Sequence, residues 1–464
     1  MKLSVVILAA GLGKRMKSSV PKVLHEALGM PMLQHTIDAV KKLNPSKTFV
    51  VIGNGAQAVK DRVKEDGLTF VLQKNLLGTG DALLTAKKEL KKGTVLVLNG
   101  DCPLITTRTL KKLLAAHKRG RNALSFLSFI DDSLSGYGRV FRDEKGRVIG
   151  IVEDKHTTAE EKRRFTELNG GVYVMETEIL NHLGKIKKNS SSGEYYLTDI
   201  IDIIAKSGKN LNAYDCPQEE IRGVNSRKEL YEITEILKRR VVLQWMEKGV
   251  TFVDPATSSV HVSVSIGRDT VIYPNTYLEG KTRIGRGCTI YPGSRICDSV
   301  LGEGVTIKDN TLIEESRISK GAVIGPFAHL RPGSDIGSNA KIGNFVEVKK
   351  SNIGDGTKVS HLSYIGDADV GRNVNIGAGT ITCNYDGKKK SRTKIGSGVF
   401  IGSDSQLIAP ITIGKNAYIA AGATITRNVP SGVLAISRAK QKNLDNWGAR
   451  KTTAQKAKVK KKIK

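Results

Sequence analysis

The sequence predicts two domains of different fold class: an N-terminal α/β domain, Rossmann-like with a mostly parallel sheet, and an all-β C-terminal domain built as a parallel β-helix. Up to about residue 225, apolar strand-like runs alternate with amphipathic helical stretches. From Ile266 onward, aliphatic residues instead recur at every sixth position. A chain of 464 residues also exceeds what one hydrophobic core usually supports, which favours at least two domains.

Strands and helices alternate regularly along the N-terminal part. The strand-like runs VVILAA, TFVVIG and TVLVLNGD are followed along the chain by the helical stretches MLQHTIDAVKKL, AVKDRVKE and TLKKLLAAHK. This alternation predicts βαβ units around a mostly parallel sheet. Loops that bind ligands should then lie at the carboxyl ends of the strands.

A long helix is expected between the two periodic regions. Residues 227–248 (RKELYEITEILKRRVVLQWMEK) have helical periodicity and contain neither glycine nor proline, and Gly249 follows as a stop signal. We therefore expect an α/β domain over 1–226, a linker helix over 227–249, the β-helix over 250–437 and a basic tail over 438–464.

The six-residue period is typical of hexapeptide repeats, in which three short strands form one triangular coil. It is carried first by Ile266, Ile272, Leu278, Ile284, Ile290 and Ile296, then shifts by one residue and resumes at 324–348 and at 395–425. The repeats leave room for roughly nine coils, each rising ~4.8 Å. The segment CNYDGKKKSR interrupts them between Ile376 and Ile395, and such a polar excursion is where function is expected.

The net charge of +29 makes nucleic acid a partner to consider. Residues 438–464 alone hold eleven Lys/Arg against Asp445, which indicates a solvated basic extension. Aromatic residues are only 5%, and no base-stacking motif is visible. We therefore expect no specific nucleic-acid binding, because charge alone encodes no specificity, and phosphorylated substrates would explain part of the excess.

The apolar run at the start of the chain leads directly into a glycine loop and has no cleavage site, so it predicts a buried strand and not a signal peptide. No stretch approaches the ~20 apolar residues of a membrane helix. The five cysteines are scattered and show no C-x-x-C spacing. We expect a cytoplasmic protein with reduced thiols and no membrane insertion.

A glycine loop, LAAGLGKRM, follows the first strand directly, so its backbone N–H groups together with Lys14 and Arg15 are placed to surround a triphosphate. It lacks the third glycine of a dinucleotide-binding fold and the lysine-serine ending of a Walker motif. Hydride transfer and P-loop hydrolysis are therefore disfavoured. Taken alone, the loop is equally compatible with a structural turn.

Three further segments follow in order: PKVLH with Lys22, LLGTGDA with Gly78 and Thr79, and VLNGDCPL with Asp101. With them, the N-terminal half resembles the sugar-nucleotide pyrophosphorylases. Together with the hexapeptide half, the chain up to about Trp447 resembles the bacterial bifunctional N-acetylglucosamine-1-phosphate uridylyltransferase/glucosamine-1-phosphate N-acetyltransferase family. The β-helix of that family is left-handed.

The resemblance implies that the N-terminal domain transfers a uridylyl group from UTP and releases pyrophosphate. It places Mg²⁺ on Asp101 and Asn225, and gives Arg15 and Lys22 the role of neutralising phosphates during catalysis. Other nucleotide and sugar contacts are implied at Leu8, Ala9, Ala10, Gly11, Gly13, Gln73, Gly78, Thr79, Asn99, Gly100, Gly138, Glu153 and Asn169. Gln73, Gly78 and Thr79 would read the uracil, and Gly138, Glu153 and Asn169 the sugar. The sugar segment reads NGG where NTG is common in the family, which leaves the acetamido selectivity open.

The C-terminal domain matches the family's acetyltransferase segments RPGS, NFVEVKKS, HLSYIGDA and NIGAGTITCNYDGKKK. The match implies that His361 is the catalytic base, because imidazole exchanges a proton near neutral pH. Substrate contacts are implied at Arg331, Lys349, Tyr364, Asn375 and Lys390, and acetyl-CoA contacts at Ala378, Asn384, Tyr385, Ser403, Ala421 and Arg438. It further implies a homotrimer with acyl sites between subunits.

The leading hypothesis is a bifunctional enzyme that acetylates glucosamine-1-phosphate with acetyl-CoA and then uridylylates N-acetylglucosamine-1-phosphate, feeding peptidoglycan and lipopolysaccharide precursors. Two alternatives stay open: an active N-terminal domain on a β-helical scaffold, or a nonenzymatic nucleic-acid-associated assembly. A zinc carbonic anhydrase of the same fold needs three histidines at the subunit interface. The repeats offer only His261, His329 and His361, and no further histidine lies near His361 in sequence, which disfavours this alternative.

Overall fold

The computed structural model describes residues 2–63, 65–131, 136–450 and 452. The chain divides into two compact units. We call Met1–Gln244 with Val260–Val262 the head, and Trp245–Ser259 with Ser263–Lys464 the tail. The KAKVKKKIK ending of the predicted basic extension lies outside the described residues.

The head alternates strands and helices as its sequence predicts. Its strands are β1 Leu3–Leu8, β2 Glu26–Ala27, β3 Met30–Pro31, β4 Lys47–Ile52, β5 Leu68–Leu72, β6 Thr94–Asn99, β7 Leu124–Ile130, β8 Arg139–Arg142, β9 Val148–Val152, β10 Glu167–Glu176 and β11 Leu211–Asp215. Its helices are α1 Met32–Lys41, α2 Ala56–Arg62, α3 Thr79–Lys87, α4 Thr107–Arg119, α5 Ala159–Arg164, α6 Asp199–Lys206 and α7 Arg227–Glu247. Short 3-10 helices cover Lys14–Met16, Lys22–Leu24, Asp154–His156, Thr177–Lys185 and Gln218–Ile221.

One mostly parallel sheet organises the head, in the order β11-β7-β10-β6-β1-β4-β5. The pairs β1–β4, β1–β6, β4–β5 and β7–β11 are parallel. β10 is antiparallel to both β6 and β7. A hairpin of β8 and β9 joins the sheet through β10. The predicted Rossmann-like α/β class is confirmed.

The head sheet is covered on both faces, as expected for parallel strands linked by helices. Val5 and Ile7 of β1 pack on one side with residues of α1 and α4, such as Ile37 and Leu110. Val6 points to the other side, where residues of α3 and α6 pack. This double burial explains why β1 reads as a continuous apolar run.

The tail consists of short parallel strands in three sheets that form the three faces of a coil. Face one contains Thr251–Phe252, Val271–Ile272, Thr289–Ile290, Thr306–Ile307, Val323–Ile324, Lys341–Asn344, Lys358–His361, Asn375–Ile376, Phe400–Ile401, Tyr418–Ile419 and Leu434–Ala435. Face two contains Ser259–Val260, Tyr277–Glu279, Arg295–Cys297, Leu312–Glu314, His329–Leu330, Glu347–Lys349, Tyr364–Gly366, Ile381–Cys383, Gln406–Ile408 and Thr424–Ile425. Face three contains Ser265–Ile266, Arg283–Ile284, Val300–Leu301, Arg317–Ile318, Asp335–Ile336, Asn352–Ile353, Ala368–Val370, Thr393–Ile395 and Ile411–Ile413.

The predicted hexapeptide class is confirmed, because inward residues of the short strands stack on their equivalents in the next coil. Ile290, Ile307 and Ile324, for example, are in register on face one and fully buried. This is the architecture of a left-handed parallel β-helix. Some sides of the triangular coil contain five residues instead of six, as between the buried Ile296 and Leu301. This accounts for the shift of the six-residue period.

The interruption of the repeat is close to the segment CNYDGKKKSR that the sequence indicates. Only its first residue, Cys383, still belongs to a strand of face two, Ile381–Cys383, in which Thr382 fills the inward position with no exposed surface. The excursion therefore covers only residues 384–392, before face three resumes at Thr393–Ile395. A threonine in place of an aliphatic residue concealed this repeat.

The expected long helix is present as α7, and Gly249 follows it with a φ of +86°, as in a glycine helix stop. Among the described residues, no helix combines the length and apolarity needed to cross a membrane. All five cysteines are unpaired thiols.

Candidate active sites

The head's candidate site lies at the carboxyl ends of β1 and β6. Leu8 and Asn99 are in register at the ends of these neighbouring strands, so the glycine loop and the NGD segment leave the sheet side by side. The Gly100 N–H donates to the Leu8 carbonyl at 2.9 Å and ties the two segments together. A Cβ at Gly100 would lie 3.3 Å from that of Ala9, so the close approach favours glycine there.

Lys22, Asp101 and Asn225 meet at this edge although they are far apart in sequence. The Lys22 ammonium donates to Oδ2 of Asp101 and, at 3.1 Å, to Oδ1 of Asn225. The side chains of Lys22 and Asp101 are only 14% and 15% exposed. The carboxylate and amide oxygens therefore converge on one cationic point that is largely shielded from solvent.

Asn225 is held in place by the start of α7. Its N–H donates to Oε2 of Glu229 at 2.5 Å, and the Ser226 N–H donates to the same oxygen at 3.1 Å. The Val224 N–H donates to the Asp101 carbonyl at 3.0 Å. These contacts join residues 223–225 to the NGD segment within the protein itself.

Groups that stay neutral surround Asp101. Burial raises the pKa of the Cys102 thiol, and it raises the pKa of Tyr137 to about 12. The Cys102 thiol donates to Oδ1 of Asp101 at 3.6 Å, and the Tyr137 phenol accepts from the Gly223 N–H at 3.4 Å. The local charge near neutral pH is thus set by the carboxylate and its cation.

The donor set fits Mg²⁺. A carboxylate and an amide oxygen that converge on one point match a hard cation that takes few protein ligands and leaves positions for phosphate and water. Among the described residues, no three His, Cys, Asp or Glu side chains form a further metal cluster.

The glycine loop is shaped around Lys22. Gly13 has a φ of +60°, and a Cβ there would lie 2.6 Å from the Cβ of Lys22. A Cβ at Gly11 would meet nothing within 4 Å, so the loop is open on that side. Met16 is buried and anchors the loop, whereas Lys14 and Arg15 are exposed. The structure thus leaves both basic side chains accessible to a polyanion.

The three residues implied in uracil contact lie together beyond β5. The Gln73 amide nitrogen donates to the Gly78 carbonyl at 3.2 Å and to Oδ2 of Asp81 at 2.6 Å. Gly78 has a φ of +101°, and a Cβ there would lie 2.6 Å from the Tyr195 carbonyl oxygen. The Thr79 hydroxyl accepts from the Leu197 N–H at 3.0 Å. These contacts fix a compact polar rim against residues 195–197.

The implied sugar contacts are adjacent across β8, β9 and β10. The Asn169 N–H donates to the Gly138 carbonyl at 2.8 Å, and the Asn169 side chain donates to the Tyr173 hydroxyl at 2.7 Å. Glu153 accepts from the Thr198 hydroxyl at 2.7 Å. Burial raises the pKa of Tyr173, so its phenol stays protonated.

The NGG departure concerns a position that faces away from this cluster. A Cβ at Gly170 would lie 2.9 Å from the Leu127 carbonyl oxygen and 3.2 Å from Cδ1 of Ile221, which are parts of the head's packing. The register of β10 against β7 shifts between Asn169 and Tyr173. Glycine at this position therefore suits an irregular, tightly packed strand and removes no side chain from the Asn169 face.

In the tail, His361 ends a strand of face one at the corner with face two. Its Nδ1 lies 2.6 Å from Oδ1 of Asn344, its register partner in the preceding coil. The histidine is exposed. The family resemblance implies a role for Lys349 in the segment NFVEVKKS. It gave no role to Asn344, the first residue of that segment. A one-coil offset from His361 was the signal that would have found it.

Residues implied in acetyl-CoA binding continue along this same corner in later coils. The Ala378 carbonyl accepts from the Asp404 N–H at 2.7 Å, and the Ser403 carbonyl accepts from the Gly422 N–H at 2.8 Å. The Arg438 guanidinium donates to the Ala421 carbonyl at 2.8 Å. Ala378, Ser403, Ala421 and Arg438 thus form an edge that leads away from His361, with small residues nearest to it.

Face two presents the implied phosphate contacts. Arg331 donates to Oε1 of Glu347 at 2.8 Å, and Glu347 is in register with Tyr364. A Cβ at Gly366 would lie 2.3 Å from the Tyr364 hydroxyl, so glycine there leaves space for the phenol. Glu347 and Gly366 were not anticipated.

The excursion 384–392 brings Lys390 beside Lys349, and this neighbouring ammonium lowers the pKa of Lys390. Tyr385 and Lys390 form a bridge across the excursion, and Asn384 donates to the Tyr364 hydroxyl at 3.4 Å. Two ammonium groups held together on one surface favour an anionic ligand. Asn375, by contrast, lies on face one between Lys358 and Phe400.

Both halves of the chain match known protein families. Residues 5–133 match the family profile "MobA-like NTP transferase domain", and residues 263–298, 315–350 and 392–427 match "Bacterial transferase hexapeptide (six repeats)". The chain is 48% identical over 445 residues to a "Bifunctional protein GlmU" of Clostridium botulinum, covering 95% of this chain and 97% of the relative. It is 48% identical over 450 residues to that of Thermodesulfovibrio yellowstonii, covering 97% and 99%.

Among solved structures, a UDP-glucose pyrophosphorylase complexed with UDP-glucose superposes with a TM-score of 0.44 at 17% identity, covering 52% of this chain and 100% of that chain. The sequence motifs predicted a member of the bifunctional uridylyltransferase/acetyltransferase family. The relatives that align with almost the whole chain confirm this prediction. The chain belongs to the GlmU family of bifunctional enzymes, with a uridylyltransferase head and a hexapeptide acetyltransferase tail.

Proposed function

We propose that the tail acetylates glucosamine-1-phosphate with acetyl-CoA, and that the head then joins the resulting N-acetylglucosamine-1-phosphate to the uridylyl group of UTP. The observation that supports the head's part most directly is the convergence of Asp101 and Asn225 on the Lys22 ammonium. In the tail, the support comes from His361 at the corner between face one and face two, and from the basic residues that face two presents.

In the head, the sugar phosphate oxygen attacks the α-phosphorus of UTP and pyrophosphate leaves. Such a reaction depends on positioning and charge neutralisation more than on covalent chemistry by the protein. Asp101 and Asn225 would hold Mg²⁺, which when bound neutralises charge on the phosphates. Lys22 and Arg15 add cationic charge at the same edge, and the glycine loop offers backbone N–H groups to the triphosphate.

The other implied head residues orient the two substrates. Gln73, Gly78 and Thr79 form the rim proposed to receive uracil. Asn169 and Glu153 offer hydrogen-bonding groups to sugar hydroxyls and to the acetamido group. The ends of β1 and β6 form a floor at this edge of the sheet, made of Leu8, Ala9, Ala10, Asn99 and Gly100. This floor favours a planar or extended ligand.

In the tail, the sugar amine attacks the thioester carbonyl, the C–S bond breaks, and coenzyme A leaves as a thiol. His361 takes the proton that the amine loses. Arg331, Lys349 and Lys390 bind the phosphate, and Tyr364 and Asn375 contact the sugar. The corner from Ala378 to Arg438, with Asn384 and Tyr385 of the excursion, receives acetyl-CoA.

A coupled assay tests the division of labour. Purified protein is supplied with glucosamine-1-phosphate, acetyl-CoA, UTP and Mg²⁺, and free thiol and pyrophosphate are measured separately. We expect chelation of Mg²⁺ to abolish pyrophosphate release and to leave thiol release intact, because the metal ligands lie in the head alone. Thiol release that also requires the metal, or pyrophosphate that persists without it, would refute the assignment.

We also propose a homotrimer assembled through the corner that holds His361. Phe327, Phe345 and Leu362 occupy this corner in three successive coils, with 50%, 57% and 62% of their surfaces exposed and φ angles of 53°, 55° and 45°. The rings of Phe327 and Phe345 are stacked, with their centroids 5.4 Å apart. Large apolar residues in left-handed backbone conformations are costly, so their use on a surface favours a partner that covers them.

Sedimentation of the wild-type protein and of Phe345→Glu tests the trimer. We expect the wild type to sediment as a trimer and the variant as smaller species that lose acetyl transfer but retain uridylyl transfer. Ile130→Glu, a change at a 74% exposed position of the head, is the matched control and should stay trimeric. A monomeric wild type would contradict the proposal.

The substrates and thiols further support a cytoplasmic location. UTP and acetyl-CoA are cytoplasmic metabolites, and the five cysteines are unpaired. We propose that the product supplies peptidoglycan and lipopolysaccharide synthesis, as the family resemblance implies.

A further inference from the structure

We propose that Asn344 is a positioning residue that holds His361 in the tautomer required for proton abstraction. The inference rests on the proposed role of His361 and adds a residue that the family resemblance did not assign here. It is carried by the 2.6 Å contact between Oδ1 of Asn344 and Nδ1 of His361.

The contact has one productive assignment of protons. The side-chain oxygen of Asn344 only accepts, so Nδ1 of a neutral His361 must carry the proton that it shares with this oxygen. The lone pair then resides on Nε2, the nitrogen that does not face Asn344. In the other tautomer Nε2 would be protonated and unable to take a proton from an amine.

The backbone fixes both partners before substrate binds. Asn344 and His361 are register partners on face one, and the Asn344 carbonyl accepts from the Leu362 N–H at 3.0 Å. A Cβ at Gly343 would lie 1.9 Å from the Ser360 carbonyl oxygen, so the two coils are in unusually close contact just before Asn344. Close, registered strands limit how far either side chain can swing from the other.

An amide also suits this position better than a carboxylate. A carboxylate would stabilise the imidazolium, whereas a neutral oxygen orients the ring with a smaller effect on its basicity. The substrate brings its own phosphate charge to the adjacent basic surface, so a further anion at the base would also oppose binding. Asn344 thus provides orientation with little change in charge.

Few other titratable groups lie on the strands packed against His361. Lys341 lies on the preceding strand and Lys358 on the same strand as His361, and Tyr364 lies beyond the corner. The following strand, Asn375–Ile376, has no titratable side chain. A change in the acid limb of the activity profile therefore reports on His361 and its acceptor.

The test compares Asn344→Leu and Asn344→Asp in the full-length protein, with acetyl transfer measured from pH 5 to 9. We expect Asn344→Leu to lower kcat roughly 10- to 100-fold with little change in KM for glucosamine-1-phosphate, because one hydrogen bond that orients the base is lost. Asn344→Asp should retain most of the turnover at high pH and move the acid limb to higher pH. Circular dichroism checks that the coils of each variant remain folded.

Three results would overturn the inference. One is an Asn344→Leu variant whose turnover and acid limb are the same as those of the wild type. Another is equal loss of turnover in both variants, since this would mean that the amide nitrogen and not the oxygen faces the ring. The third is a ¹⁵N NMR spectrum of the wild type in which Nε2 of His361 carries the proton of the neutral form.

Controls separate this inference from the proposed function. Asn352→Leu changes an asparagine that pairs with Asp369 on face three, away from His361, and should leave the profile unchanged. If His361→Ala itself retained acetyl transfer, the proposed base would be wrong. If His361→Ala is inactive and Asn344→Leu is normal, only the positioning role fails.

Discussion

Asp101→Asn is expected to reduce uridylyl transfer at least about 10²-fold and to leave acetyl transfer unchanged. The substitution keeps the size of the side chain but removes the charge that faces Lys22, and a metal-held charge at a phosphoryl centre is worth several kcal/mol. Pyrophosphate release reports the loss, and thiol release from acetyl-CoA reports the tail. Calorimetric titration with Mn²⁺ in the presence of a nonhydrolysable UTP analogue should show weaker metal binding.

The matched control is Asp143→Asn. Asp143 is also an acidic residue of the head and pairs with Arg147 at 2.7 Å, but it lies in the turn after β8 and away from the site. We expect it to retain both activities. If Asp101→Asn abolished acetyl transfer as well in a folded protein, the two sites would not be independent. Normal uridylyl transfer in that variant would remove Asp101 from the metal site.

His361→Ala is expected to give the reverse result, with acetyl transfer lowered roughly 10²- to 10⁴-fold, the usual contribution of a general base. Uridylyl transfer from supplied N-acetylglucosamine-1-phosphate should be unchanged. Because only the base is removed, KM for the sugar phosphate should change little while kcat falls. A fall confined to KM would indicate that His361 binds substrate and does not take the proton.

His329→Ala is the matched control for this experiment. His329 lies on face two of the same β-helix, where its Nε2 is 3.3 Å from Oε2 of Glu314. We expect this variant to acetylate at the wild-type rate. Loss of acetyl transfer in both histidine variants would point to a general effect on the β-helix, and circular dichroism would then show whether the coils remain folded.

The arrangement of Lys22, Asp101 and Asn225 shows why motif order alone did not define the head's site. The resemblance named all three residues, but it placed Lys22 on phosphate and the other two on the metal. Their convergence joins positions 79 and 203 residues apart, which only the sheet order can bring to one edge. The antiparallel pairing within the head's sheet was equally hidden, because β10 lies between β6 and β7, two consecutive strands that come well before it in the chain.

In the tail, the sequence by itself determined the fold, because each inward position must be small or aliphatic to stack in a narrow coil. Through the motifs of the resembling family it also predicted a site at His361, Tyr364 and the basic residues of face two. The partner of His361, the space that Gly366 leaves for Tyr364, and the apolar corner of Phe327, Phe345 and Leu362 were decided only by the tertiary structure. Each depends on which residues of successive coils face each other, and that register is set by coils of unequal length.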